Sequence, residues 1–317
     1  MLNEVSIEII RRCACNCVHC SSLSDDKCPE ILEYDVFADA VKSVAELGAK
    51  TICLSGGEPF MHPQIVDMIE YINSLGLETY VYTSGIIPDA QNRKVPIPKE
   101  TLQVIADIVT KLIFNVEAAT SESYDSIMGT KDCFEVMKQS ITSASCANIV
   151  TEAHFVPMKP NIDEIEATVE LCKELGISKL SFLRLVLHGR ALENKNQLAL
   201  SNEELALVKA LLAKIQTSAD IDIRIGIPLS AASSCHKCEA ANGKLNIRYD
   251  GKVYPCEVFK NEVPSELNEL QPENIYSCSL EDIYHNSQYL CAVRELSKNF
   301  SDTDNETCVG QFLIGKD

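Results

Sequence analysis

The chain has 317 residues, 46% of them hydrophobic and 23% charged, which is enough apolar side chain to bury a large core and too much for disorder. Its 28 Lys and Arg stand against 46 Asp and Glu, a formal net charge of −18, and this argues against a general grip on nucleic acid or on an anionic membrane. No apolar run approaches the roughly 20 residues of a bilayer span, and the opening MLNEVSIEIIRRC has no signal-peptide core, so the chain reads as cytoplasmic.

In chain order, short β-rich runs alternate with segments of helical period. VSIEII (5–10) is followed by a helix over 35–47, KTICL (50–54) by one over 63–75, and ETYVY (78–82) by one over 99–108. KLIFNV (111–116) precedes a helix over 131–147, IVTEAHF (149–155) one over 162–175, and KLSFLRL (179–185) one over 202–217, before IDIRI (221–225). Asp35, Asn161 and Ser201 are the expected helix starts, the last with Glu204 three residues on as a capping box. Gly48, Gly76 and Gly176 are the expected stops. This rhythm implies an α/β fold with a parallel sheet and right-handed crossovers. Six βα units and a seventh strand are too few for a closed eight-stranded barrel, so a partial (β/α)6 TIM-like barrel over 1–228 is predicted, with ligands at the carboxyl ends of the strands. Over 229–317 the rhythm stops, and a small Cys-rich α+β unit is predicted, beginning with a hairpin that turns at Asp250-Gly251.

Cysteine is the outlier: 15 residues, an odd number, in a chain read as residing in a reducing compartment, which favours metal ligation, catalysis or burial over disulfides. Cys53 and Cys172 sit in apolar contexts and are expected to be small buried hydrophobes, as are Cys133, Cys146, Cys278 and Cys291. Cys13-x3-Cys17-x2-Cys20 lies on the loop after the first strand, a spacing that suits wrapping one metal centre. Zinc would recruit Cys15 or His19 as a fourth ligand, an iron–sulfur cubane needs only the three, and a reactive thiol group is the remaining alternative. At the end of the second strand, Ser55-Gly56-Gly57-Glu58-Pro59 offers close backbone approach and a fixed acceptor for an ammonium group.

Together these two motifs resemble those of the radical S-adenosylmethionine (SAM) superfamily. The resemblance implies a 4Fe-4S cluster on Cys13, Cys17 and Cys20, and SAM held at Gly56, Gly57 and Glu58. His19 stands where the family usually has an aromatic residue, and Cys15 falls at a position without a ligand role. Thr83-Ser84-Gly85 is similar to the family's T-N-G, with Ser84 in place of Asn. Asn115-Val116-Glu117-Ala118 through Tyr124–Gly129 is similar to a stretch of the peptide-modifying members, which places Asn115 and Glu117 at the SAM or substrate pocket. Arg184 is the candidate for the SAM carboxylate, and Arg190 in HGRA a weaker one.

Cys238-x12-Gly251-x4-Cys256 resembles the opening of the auxiliary-cluster domains called SPASM and twitch. The dense cysteine run of the long form is absent, so the resemblance implies the short form with one auxiliary 4Fe-4S cluster. Either Cys235 joins Cys238 and Cys256, as in the molybdopterin-precursor cyclases, or Cys308 closes the site as in twitch maturases. A structural zinc hairpin is the alternative that the residues alone leave open.

The implied reaction is one-electron cleavage of SAM to a 5′-deoxyadenosyl radical that abstracts hydrogen from the substrate. The expected outcome is an oxidative or epimerising modification of a ribosomal peptide or protein, and no side chain is singled out as its catalytic acid, base or hydrogen donor. The alternative enzyme reading is small-molecule chemistry, either nucleotide cyclisation or dehydrogenation. The reading from another class, a non-catalytic electron carrier or redox sensor, is opposed by the intact Gly56-Gly57-Glu58. Expected partners are the substrate and an external one-electron reductant of flavodoxin or ferredoxin type. A separate peptide-recognition protein is expected too, because the chain opens directly on the first strand.

Overall fold

Strand residues alternate between two faces, and here the two faces differ in kind. In β1 (Glu4–Ile10), Val5, Ile7 and Ile9 share one face and Glu4, Ser6 and Glu8 the other. Register carries both rows sideways: Ser6 pairs with Cys53 of β2 (Thr51–Gly56), and Cys53 with Tyr80 of β3 (Glu78–Thr83). The apolar row, with Ile52, Leu54, Val81, Leu112, Phe114 and Phe155, belongs to one buried core shared with the helices. The polar row forms the other, inner face, and chemistry is available there.

The computed structural model describes residues 1–227, 229–230, 238–261, 263–300, 308, 310 and 313. All seven expected strands are present and mutually parallel: β1, β2, β3, then, past a small antiparallel pair β4 (Ile86–Pro88) and β5 (Lys94–Pro96), β6 (Lys111–Asn115), β7 (Thr151–Phe155), β8 (Lys179–Phe182) and β9 (Asp222–Ile225). Ion pairs Lys111–Glu152 at 2.9 Å and Lys179–Asp222 at 3.0 Å cross-link neighbouring strands near their amino ends. The C-terminal hairpin, β10 (Lys244–Ile247) and β11 (Val253–Tyr254), turns at Gly251 as expected. It is not a separate sheet, since β10 runs parallel to β1 from Glu4↔Lys244 to Ile7↔Ile247. The result is one nine-stranded sheet in the order β11-β10-β1-β2-β3-β6-β7-β8-β9.

Helices α1 (Tyr34–Glu46), α2 (Ile65–Ser74) and α3 (Lys99–Ile105) follow the first three parallel strands. α4 (Ser121–Met128), absent from the sequence reading, precedes α5 (Phe134–Cys146) and α6 (Ile165–Glu174). Two short turns, α7 (Arg190–Glu193) and α8 (Lys195–Leu198), lead into α9 (Asn202–Ser218), and α10 (Leu280–Asn286) and α11 (Gln288–Phe300) lie in the C-terminal unit. Ser201 and Glu204 form the expected capping box. Asp35 instead lies inside the first turn of α1 after an uncapped Glu33, where its charge still favours the helix N-terminus. Gly48, Gly76 and Gly176 end their helices at φ +81, +72 and +72, the left-handed region open to glycine. No helix among the described residues is long and apolar enough to cross a membrane.

Candidate active site

The loop from Arg11 to Asp25 contains no helix or strand, so its backbone polar groups need partners from elsewhere. They find them on the carboxyl side of several strands. Gly57 N donates to Ile10 O at 2.6 Å and Glu58 N to Arg12 O at 2.9 Å. From the end of α4, Met128 O accepts from Asn16 N at 3.0 Å and Ile127 O from Val18 N at 2.9 Å. Arg190 then forks across the far side, Nε to Cys17 O and Nη2 to Ser24 O, both at 2.7 Å, while Asn194 Nδ2 reaches Val18 O at 2.9 Å. Three of these approaches need glycine. A Cβ on Gly57 would stand 2.1 Å from Arg12 O, one on Gly129 2.1 Å from Asn16 O, and one on Gly189 2.7 Å from Cys20 O.

Cys13, Cys17 and Cys20 ride on this clasped loop within electrostatic reach of one another. Among the described residues, no three Cys, His, Asp or Glu side chains are already drawn together at metal-ligating distances. The donor chemistry nonetheless fits a cluster. A hydrogen bond from Cys15 brings the Cys17 thiol down to about 7 against the pull of burial, helped by His19 and Arg190. Hydrogen bonds to Cys13, Cys133 and Cys17 push the Cys15 thiol well above its usual range. Cys15, 2% exposed, packs beside Cys13, Cys17 and Cys133, and burial raises the Cys20 thiol as well.

Glu58 is fully buried at the turn after β2. Its Oε1 accepts from Thr83 Oγ1 at 2.7 Å and Phe60 N at 3.2 Å, its Oε2 from Ser84 Oγ at 2.6 Å and Ser84 N at 2.8 Å. Burial raises the carboxyl above its usual range, and these four bonds restrain the shift. A carboxylate has about four lone-pair sites, so all are filled by the chain itself. The carboxylate expected to receive an ammonium group also ties the β2 end to the β3 end, through Thr83 and Ser84.

Glu117 is likewise fully buried. It accepts from Val156 N at 2.8 Å and Asn115 Nδ2 at 3.3 Å, and stands 3.5 Å from His19 Nε2. Burial pulls the His19 imidazole down, but Glu117 more than offsets it, leaving its pKa raised. Asn161, read from sequence as a helix start, makes no cap; its Nδ2 bridges Glu117 O and Val156 O at 2.9 and 3.0 Å. Arg184 follows β8 by two residues, partly buried. Asn115, Glu117 and His19 thus meet at the cysteine loop.

The second group also converges. Burial raises the Cys238 and Cys256 thiols, and each feels Cys308 as a neighbouring charge. Three thiols from distant positions within electrostatic reach of one another are a candidate donor set for a thiolate-bound centre. Cys235 lies outside the described residues. Cys53, Cys133 and Cys172 are buried as expected, whereas Cys146, Cys278 and Cys291 are exposed: they fall on outward-facing parts of helices or turns, which apolar neighbours in sequence did not reveal.

Sequence reasoning missed the clasp. Arg190 drew attention only as a weak ligand candidate, and Asn194, Gly129 and Gly189 not at all. The one available signal was the HGRA phrase itself, a glycine beside an arginine just after a strand.

Comparison with known proteins fits this geometry. Residues 7–172 match the model of the radical SAM superfamily, and residues 238–310 that of SPASM, an iron–sulfur cluster-binding domain. The chain is 27% identical over 296 residues to the PqqA peptide cyclase of Rhizobium meliloti (strain 1021), covering 90% of this chain and 74% of that enzyme. It is 28% identical over 191 residues to the AdoMet-dependent heme synthase of Methanosarcina barkeri (strain Fusaro / DSM 804), covering 60% of this chain and 52% of that one. Among solved structures, Streptococcus suis SuiB bound to its precursor peptide SuiA superposes with a TM-score of 0.75 at 15% identity over 98% of this chain and 76% of SuiB. AdoMet-bound anSMEcpe superposes at 0.68 and 14% identity over 99% of this chain and 88% of its own; at such identities these likenesses speak for the fold. With its clasped CxxxCxxC loop and more than half its length matching, the chain belongs to the radical SAM superfamily.

Proposed function

We propose that this chain is a radical SAM enzyme that modifies a ribosomal peptide, with a first cluster on Cys13, Cys17 and Cys20 and an auxiliary one on Cys238, Cys256 and Cys308. The observation that carries the reading is that three thiols lie within electrostatic reach of one another at each of two places, the first on a loop hydrogen-bonded to a Gly-Gly strand end. The chemistry that cluster and SAM supply when bound is one-electron cleavage to a 5′-deoxyadenosyl radical. The chain's own work is positioning and exclusion of water. Gly56 and Gly57 bring backbone to the loop mouth without a Cβ. Glu58, with Thr83 and Ser84, fixes the neighbouring strand ends. Asn115, Glu117 and His19 present a connected polar wall, and Arg184 stands at the β8 end as a cation for the SAM carboxylate.

The peptide assignment draws on the PqqA cyclases, which match along most of this chain. The heme synthase relative favours a second, small-molecule reading. Under the peptide reading, an external flavodoxin- or ferredoxin-type reductant and a separate peptide-recognition protein are the expected partners. Co-expression with short open reading frames beside the gene tests the substrate. Loss of a hydrogen pair from a peptide, with 5′-deoxyadenosine formed in step, supports oxidative maturation. An unchanged mass with inverted stereochemistry supports epimerisation. Unmodified peptides alongside turnover on a small molecule refute the peptide reading.

A further inference from the structure

One buried cation lies outside the machinery described so far. Lys260 follows the auxiliary cysteine Cys256 by four residues, yet its side chain is in the barrel, 7% exposed. Its Nζ donates to Glu8 Oε1 of β1 at 2.6 Å and to Ser22 Oγ at 2.7 Å, and Ser22 Oγ donates to the same Glu8 oxygen at 2.9 Å. Neighbours fix the segment that delivers it. Asn261 Nδ2 donates to Ser21 O at 2.6 Å, Val258 O meets His188 Nε2 at 2.7 Å, and Arg248 Nη1 donates to Lys260 O at 3.1 Å. Glu8 is 2% exposed and its Oε2 has no partner among the described residues. Ser22 lies two residues past Cys20, and the Cys20 sulfur is within electrostatic reach of the ammonium.

A buried ion pair is a costly device, and a surface of apolar contacts would anchor this segment as well. What the pair adds is a fixed field beside a sulfur. Cluster potentials respond to nearby charge and to hydrogen bonding, and in a water-poor interior the response is large. From this placement we infer that Lys260 and Glu8 form an electrostatic tuning pair, by which the auxiliary unit sets the reduction potential of the first cluster. The inference rests on the assignment of that cluster to Cys13, Cys17 and Cys20. A cation there favours the reduced, more negative form and raises the potential; the Glu8 carboxylate lowers it.

The two charges give the test a sign pattern that a merely structural role does not produce. In anaerobically reconstituted full-length protein, the SAM-sensitive electron paramagnetic resonance signal is followed against applied potential. Lys260→Met, leaving Glu8 uncompensated, shifts the midpoint downward. Glu8→Gln, leaving the ammonium, shifts it upward, and the double variant returns toward wild type. Lys260→Arg keeps the charge and stays close to wild type. Iron per chain is measured for each, and if Lys260→Met fails to fold, Glu8→Gln and Lys260→Arg carry the sign test alone. Shifts of the same sign, or none, overturn the inference while leaving the cluster assignment standing. A wild type without a SAM-sensitive signal overturns the assignment and the inference with it.

Discussion

Arg190 is the most exposed point of the clasp to experiment, because one side chain holds two carbonyls of a loop that has no helix or strand of its own. Its guanidinium donates to Cys17 O and Ser24 O, both at 2.7 Å, carbonyls that flank the Cys20 end of the loop. A hydrogen bond from a charged donor is worth about 1.5–3 kcal/mol, so Arg190→Ala removes about 3–6 kcal/mol of loop fixation before water re-solvates the two partly buried oxygens. With about half surviving that correction, the closed loop loses about 3 kcal/mol, on the order of a hundredfold in population. Arg190→Lys keeps the charge but not the planar fork, and a single ammonium spans the two carbonyls poorly; about half the loss is expected. The assay is iron release to a chelator from reconstituted protein, with denaturant unfolding of the apo-protein in parallel. Release accelerates strongly in the Ala variant and partly in the Lys variant. The sheet, to which these two hydrogen bonds do not run, keeps its far-ultraviolet circular dichroism. If the Ala variant retains iron within a few-fold of wild type, or the Lys variant is indistinguishable from it, the fork does not hold the loop.

Gly57→Ala drives a Cβ to 2.1 Å from Arg12 O, backbone against backbone; the strain is expected to cost about 1–3 kcal/mol or more and to abolish SAM binding, measured by equilibrium dialysis. Cys308→Ala is expected to remove the auxiliary cluster, taking about eight irons per chain to about four, while Cys15→Ala leaves iron content unchanged; a Cys15 loss equal to that of a Cys17 variant refutes the assignment. His154 has its pKa lowered to about 3 by burial, with Arg224 and Lys111 adding to the effect. The unfolded chain then binds the extra proton first as pH falls below 6.5, so stability is present above that pH and drains away toward about 3. Between about pH 7.5 and about pH 5 the loss is about 2 kcal/mol, and His154→Gln is expected to show a pH dependence shallower by that amount in denaturant unfolding.

What was legible in the sequence was whatever repeats or whatever is spaced along the chain. The seven parallel strands were visible because each alternates or runs apolar over a short window, and Gly48, Gly76 and Gly176 because helix stops have local chemistry. The cysteine triplet and the Gly56-Gly57-Glu58 turn were visible because both motifs are contiguous. Contacts made across the chain were not. Nothing near Lys244 says that its strand will lie parallel to β1, since a parallel partner carries no turn signal to announce it. Sequence cannot show that Thr83 and Ser84, 25 and 26 residues from Glu58, will also donate to its carboxylate. Arg190 lies 173 residues from Cys17, and Lys260 lies 252 from Glu8; both look like surface charges until the fold closes.

The distribution of these long-range bonds bears on how the first centre assembles. In small zinc domains the ligand loop has no partners of its own, and metal binding supplies the folding energy. Here Ile10, Arg12, Asn16, Cys17, Val18, Cys20 and Ser24 all have a backbone group bonded to the turn after β2, to α4 or to the α7–α8 segment without any contribution from a metal. The cost of ordering the loop, about 1–2 kcal/mol per residue, is therefore met largely by the scaffold. On the proposed assignment to Cys13, Cys17 and Cys20, cluster binding then leaves most of the loop backbone already ordered. Ligands held that way are placed by rigid elements rather than by the metal, as a centre that must also position a second bound molecule requires.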